Sequence, residues 1–162
     1  MKLERGMWRG KDRVTGEWII GWKVVRNAST RHYSLTCIVR YEETDDMSDW
    51  YWYEVDPSTL GEWTGMYDKN GEPIFEGDII TFHQFLFDGC EIESILTALV
   101  EYDEEDVCFA LKRIENDFYQ DYTGYRRGEG SAPICFFYGL HEESFTKMGN
   151  KWDNPDLLGV EL

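Results

Sequence analysis

Apolar and polar residues alternate with a period of two along much of this chain, the spacing of a strand with one face buried. Glu17 to Val25 puts Trp18, Ile20, Trp22 and Val24 on one face. Leu35 to Tyr41 puts Leu35, Cys37, Val39 and Tyr41 together, with Arg40 opposite. Val107 to Arg113 sets Val107, Phe109 and Leu111 against Cys108, Ala110 and Lys112. Trp50 to Val55 reads as an aromatic strand with both faces bulky. Asp78–Phe85, a segment rising into Leu96–Tyr102, and Ile134–Leu140 complete a set of roughly eight short strands. No stretch keeps a helical period over three turns.

Turn chemistry separates these runs. Asn70-Gly71 is the strongest short-range turn signal, since both residues tolerate a positive φ. Glu76-Gly77-Asp78 makes a second turn, and Pro73 limits Pro73 to Phe75 to a short edge strand. Val14-Thr15-Gly16 closes a hairpin-length connection. Glu42 to Asp49 and Asp103 to Asp106 read as acidic loops, and Asp88-Gly89 breaks the run from Phe85 to Leu96. Asp56 with Pro57, and Asn154 with Pro155, each offer a cap and a first helical position for a one-turn helix. Leu157 and Leu158 are then expected to be buried against the body.

The fold class that follows is all-β: a bent sheet or SH3-like barrel with short helical turns and long loop insertions. The 162 residues are expected to form one domain. Within it, 1–53 supplies N-terminal strands, 54–82 a central cassette, and 83–162 further strands and a docking tail. Glu115 to Ala132 has no clear period and reads as a long loop or insertion.

Charge divides the chain. The net charge is −16, yet residues 1–40 carry nine Lys and Arg against three acids, a net of +6. The remainder carries seven bases against twenty-nine acids, a net of −22. Such a body repels phosphates, so nucleic acid is an unfavourable partner. Seven Trp, ten Tyr and nine Phe are more than one core of this size usually absorbs. They point either to an aromatic core or to exposed rings and homo-oligomer formation.

The spacing of potential catalytic and metal-ligating residues is uninformative. His32, His83 and His141 lie far apart, and none has a second ligand at helical or strand spacing. Cys37, Cys90, Cys108 and Cys135 form no C-x-x-C pair and fit reduced structural thiols in a cytoplasm. Acidic pairs such as Glu42-Glu43 could bind a cation, but acidic turns are ordinary in so acidic a chain. No phosphate-loop, nucleophile-elbow or dinucleotide pattern occurs. The expectation is no enzyme activity, no cofactor and no metal. Met1 to Gly10 lacks the apolar core of a signal peptide, and no run is long enough to span a membrane.

Three blocks resemble a known family. The first is Arg9-Gly10-Lys11 with Gly16-Glu17-Trp18 and Gly21. The second runs from Val55-Asp56-Pro57 through Gly61-Glu62-Trp63-Thr64-Gly65 and Asp68-Lys69-Asn70-Gly71 to Glu76-Gly77-Asp78-Ile79. The third is Met148-Gly149-Asn150 with Asp153-Asn154-Pro155-Asp156-Leu157-Leu158. In this order they resemble the YopX family, small proteins of unknown function carried mostly by phages and prophages of low-GC Gram-positive bacteria. Phe85 to Leu96 and Glu115 to Ala132 depart from a minimal member by their length. The resemblance implies a phage accessory protein acting in the cytoplasm of a bacterial host, and it brings no catalytic residues with it.

The functional expectation is a non-enzymatic protein-binding module whose acidic surface meets a host or phage protein with a basic surface. Binding residues are expected on loops of a rigid scaffold: Glu104, Glu105 and Asp106 in one acidic turn, and Tyr122, Tyr125, Arg126 and Arg127 in the long loop. The alternative is a nucleic-acid-binding SH3-like module that uses the basic N-terminal segment and stacking aromatics.

Overall fold

In the computed structural model, which describes residues 3–28, 33–43, 48–85, 93–114, 131–133 and 145–158, the alternating segments form antiparallel strands. The chain divides into two compact units, Met1–Gly65 and Met66–Leu162. The division falls inside the expected central cassette. The described strands make two open antiparallel sheets, with no closed barrel among the described residues. The all-β reading therefore holds in its bent-sheet form.

The first unit is built on β1 (Met7–Lys11), β2 (Trp18–Ala28), β3 (Tyr33–Glu43), β4 (Ser48–Glu54) and the start of β5 (Gly61–Tyr67). These lie in the order β4-β3-β2-β1-β5. The turn between β1 and β2 is held by Asp12, whose carboxylate accepts from the N–H groups of Val14 and Thr15 at 2.8 Å. Ile19, Ile38 and Val55 form the core, with Trp8, Tyr53 and Leu60 packed against it. This corrects the expected facing of β2. Ile19, on the other face, is the buried residue, while Trp18, Ile20, Trp22 and Val24 are half-buried. Burial on that face is confined to Ile19 and Gly21, since Lys23 and Val25 are exposed.

Gly21 shows why this face is the buried one. A Cβ there would lie 2.4 Å from the Val39 carbonyl oxygen, so only glycine lets β2 and β3 approach this closely. The β2–β3 ladder ends beside this point, at Trp22↔Val39. The β3–β4 ladder continues past it, from Cys37↔Glu54 to Glu43↔Ser48. β3 and β4 thus run on as a two-stranded ribbon beyond their junction with β2. The expected acidic loop from Glu42 to Asp49 is correspondingly shorter, because Glu42, Glu43, Ser48 and Asp49 all belong to this ladder.

After Val55 the chain makes the expected helical turn over Pro57–Thr59. Asp56 caps it by accepting from the Ser58 N–H at 2.9 Å. Thr59 Oγ1 accepts from the Lys11 N–H at 2.8 Å, fixing the turn to β1.

In the second unit β5 ends at Tyr67, and β6 (Pro73–Phe75) takes the edge beside it, as the proline requires. Gly71 adopts φ +82 in the Asn70-Gly71 turn. The second sheet holds β7 (Asp78–Phe85), β8 (Glu93–Asp103), β9 (Cys108–Arg113), β10 (Ser131–Pro133) and β11 (Phe145–Asn150). Their order is β10-β9-β8-β7-β11. Ile74, Ile80, Phe82, Ala98, Val100, Leu111 and Phe145 make the core of this unit. Phe82 and Phe145 meet edge to face at 6.0 Å.

The helical turn Pro155–Leu158 is present, but Leu157 and Leu158 are half-buried rather than buried. The tail is anchored instead by its polar residues and Trp152. Val107, expected to open β9, lies in the preceding turn at φ +55 and is exposed. The expected strand Ile134–Leu140 lies outside the described residues.

Candidate functional site

The sequence-expected binding residues fall into two groups. Glu104, Glu105 and Asp106 lie in the turn between β8 and β9, and all three are exposed. Asp103 organises the turn, its Oδ1 accepting from the N–H groups of Glu105 at 2.9 Å and Asp106 at 3.1 Å. Tyr122, Tyr125, Arg126 and Arg127 lie outside the described residues.

The family-type blocks are occupied by scaffold bonds in the second unit. Asp68 is buried, and its Oδ1 accepts from the Asn70 and Glu72 N–H groups at 2.8 and 2.9 Å. Its Oδ2 accepts from the Lys147 N–H at 3.1 Å, tying the turn to β11. Burial alone would raise the Asp68 pKa, but the N–H groups of Glu72, Lys147 and Asn70 outweigh it and hold the carboxyl below its ordinary value. Asp78 is fully buried; its Oδ2 accepts from the Phe75 N–H at 2.9 Å and pairs with Lys147 Nζ at 3.0 Å. Lys147 Nζ also donates to the Pro73 carbonyl at 3.2 Å.

The third block closes on itself. Asn150 Oδ1 accepts from the Trp152 and Asp153 N–H groups at 3.0 and 2.9 Å. Its amide nitrogen donates to Asp153 Oδ2 at 2.9 Å. Trp152 then covers Gly77, which sits at φ +83. A Cβ on Gly77 would lie 2.3 Å from that indole. The polar residues of these blocks thus serve turns and strand junctions.

The ribbon formed by the ends of β3 and β4 is different. Trp50, Tyr51 and Trp52 are exposed, as is Tyr41, and the Tyr41 and Trp50 rings lie 5.4 Å apart. β4 is an edge strand, with β3 as its neighbour in the sheet. On the other face of the ribbon, which also carries Tyr51, Arg40 Nε donates to Glu42 Oε1 at 2.7 Å, and the Tyr53 hydroxyl donates to the same oxygen at 2.6 Å. The Tyr53 and Arg40 bonds hold the Glu42 carboxyl below its ordinary range. The Glu42 bond, with burial, raises the Tyr53 phenol.

Where the ribbon leaves β2 there is an open cleft of about 470 Å³. It is lined by Glu4, Met7, Trp22, Tyr41, Glu43 and Trp50, with Arg40 at its wall. This surface was not among the sequence-expected binding residues. Its signal was Trp50-Tyr51-Trp52-Tyr53 itself, a strand segment with no polar face, and such a strand leaves one aromatic face uncovered when it lies at an edge.

Among the described residues no group of three His, Cys, Asp or Glu is placed to hold a metal ion. No helix among them is long and apolar enough to cross a membrane. The arrangement offers aromatic faces and carboxylates, which suit recognition of cations.

Comparison with known proteins gives a family match and a structural one. The family model described as YopX protein matches residues 8–159. No curated protein matches. Among solved structures, the crystal structure of protein EF1440 from Enterococcus faecalis is similar at 18% identity. That likeness covers 97% of this chain and 99% of that one, with a TM-score of 0.47.

Proposed function

The chain belongs to the YopX family, and from that premise we propose that it is a phage-type accessory protein that binds another protein, without catalysis, through an acidic surface that favours a basic partner. The observation that carries this reading is the uneven use of charge. Residues 41–162 hold a net charge of −22, and the Glu104–Asp106 turn is exposed on a hydrogen-bonded frame. Such a surface attracts a basic partner within the Debye length, about 8–10 Å at physiological salt. The reading also places the protein in the host cytoplasm, where the partner would be met.

The nucleic-acid alternative draws on the basic first forty residues, and the bonding there weighs against it. Arg9 is buried, with its guanidinium 4.7 Å from the centre of the Trp18 ring. Lys23 lies over Trp8 at 3.7 Å, Arg13 pairs with Glu54 at 2.6 Å, and Arg40 is held by Glu42. These cations already face aromatic rings and carboxylates of their own unit, which leaves less positive potential for phosphates.

Affinity capture from host lysate, with and without nuclease, tests the proposal. A protein partner that survives nuclease and is released by high salt is the expected result. Recovery that depends on nucleic acid, or a gel shift with purified DNA or RNA, would overturn it.

A further inference from the structure

We propose that the cleft between the β3–β4 ribbon and the start of β1 is the seat for a lysine or arginine side chain of the protein partner. The inference rests on the protein-binding reading above and names the surface and the chemistry. Three observations converge on it.

The first is geometry. β2 and β3 part at Trp22↔Val39 while β3 and β4 continue to Glu43↔Ser48, so the ribbon stands off from β1 and β2 and leaves the cleft open on one side. The second is the lining. Trp22, Tyr41 and Trp50 line the cleft together with Glu4 and Glu43, and both of these glutamates are exposed. A cation near aromatic rings is attracted by their quadrupole, and nearby carboxylates add to that attraction. The third is the state of Arg40, the one cation of the lining among the described residues. Arg40 is engaged by Glu42 and Tyr53, so the site's own positive charge is already neutralised within the ribbon.

Charge selects the occupant. A second copy of this chain would bring another net charge of −16 to a cleft lined by carboxylates. A nucleic acid would bring phosphates to the same carboxylates. A basic protein segment meets rings with its cation and the carboxylates with opposite charge, and its flanking residues can lie along the exposed edge of β4.

The test uses the full chain and a synthetic peptide of alternating arginine and serine, followed by NMR of the tryptophan indole N–H signals. Saturable shifts of the Trp22 and Trp50 signals are expected, with the Trp152 signal unmoved. The exposed-site double variant Glu4→Lys and Glu43→Lys should weaken the peptide by about tenfold or more. Trp50→Thr should weaken it similarly, with both variants keeping the wild-type far-ultraviolet spectrum.

If the peptide binds but these variants leave its affinity unchanged, and charge reversal at Glu104, Glu105 and Asp106 abolishes it, the cleft assignment is overturned and the acidic-surface reading stands. If no saturable binding occurs and lysate yields no basic partner, both fail. Concentration-dependent shifts of Trp50 without peptide would assign the cleft to a second copy. Equal shifts with a single-stranded oligonucleotide would assign it to nucleic acid. Either result overturns the proposal.

Discussion

In the second unit the carboxylates of Asp68 and Asp78 are 7% and 0% exposed and give their oxygens to backbone N–H groups and Lys147. In the first unit the rings of Trp50 and Trp52 are 53% and 50% exposed on an edge strand. Polar groups are inside in one region and large apolar groups are outside in the other, the reverse of their usual placement. The buried carboxylates lie in the blocks whose sequence resembles the family. The exposed rings come from a stretch outside those blocks.

Four substitutions probe the second unit's side of this contrast. Removing Asp78 has the largest expected effect. Asp78→Ala leaves the buried Phe75 N–H without its acceptor and Lys147 without its ion-pair partner, at a cost of about 3 kcal/mol or more. The shift of a urea unfolding midpoint reads it. Gly77→Ala comes next, at about 2–3 kcal/mol, because the new methyl meets the Trp152 indole and the backbone is held at a positive φ. Here the same unfolding curve should be accompanied by a change in Trp152 fluorescence.

Asp68 offers a pH dependence rather than a single cost. Its pKa is lowered in the folded protein from the ordinary 3.8. Its contribution is therefore fully present above the unfolded carboxyl's pKa and is lost as pH falls through the folded value. An Asp68→Asn variant should show a shallower loss of stability than wild type between about pH 5 and pH 3. An unchanged slope would mean the three backbone bonds do not favour the ionised form. The smallest effect is expected at Val107. Moving a β-branched residue out of the left-handed region with Val107→Asn should stabilise the protein by up to about 1 kcal/mol, visible as a small rise in melting temperature.

Much of the scaffold was legible because its signals are local. Asp56-Pro57, Asn70-Gly71 and Asn154-Pro155 carry their turn geometry in adjacent residues, and all three turns form. Pro73 kept β6 short and at an edge. What local pattern could not reveal was pairing at a distance. Alternation in β2 was correct, but which face met the core depended on Gly21 passing Val39. Acidic residues 42, 43 and 49 looked like a loop until β3 and β4 paired through them. The leucines of the tail looked like its anchor, whereas Asn150, Trp152 and Asn154 hold it through hydrogen bonds and a contact over Gly77. The cleft depends on where two ladders separate, and no single segment encodes that.

The most direct test of the contrast is urea unfolding of Asp78→Ala and Trp50→Thr side by side. Asp78→Ala should lose about 3 kcal/mol. Trp50→Thr should lose about 1 kcal/mol or less, the worth of the Tyr41 ring contact in a strand that keeps a β-branched residue. Equal losses, or a larger loss for Trp50→Thr, would show instead that the aromatic edge is part of the scaffold.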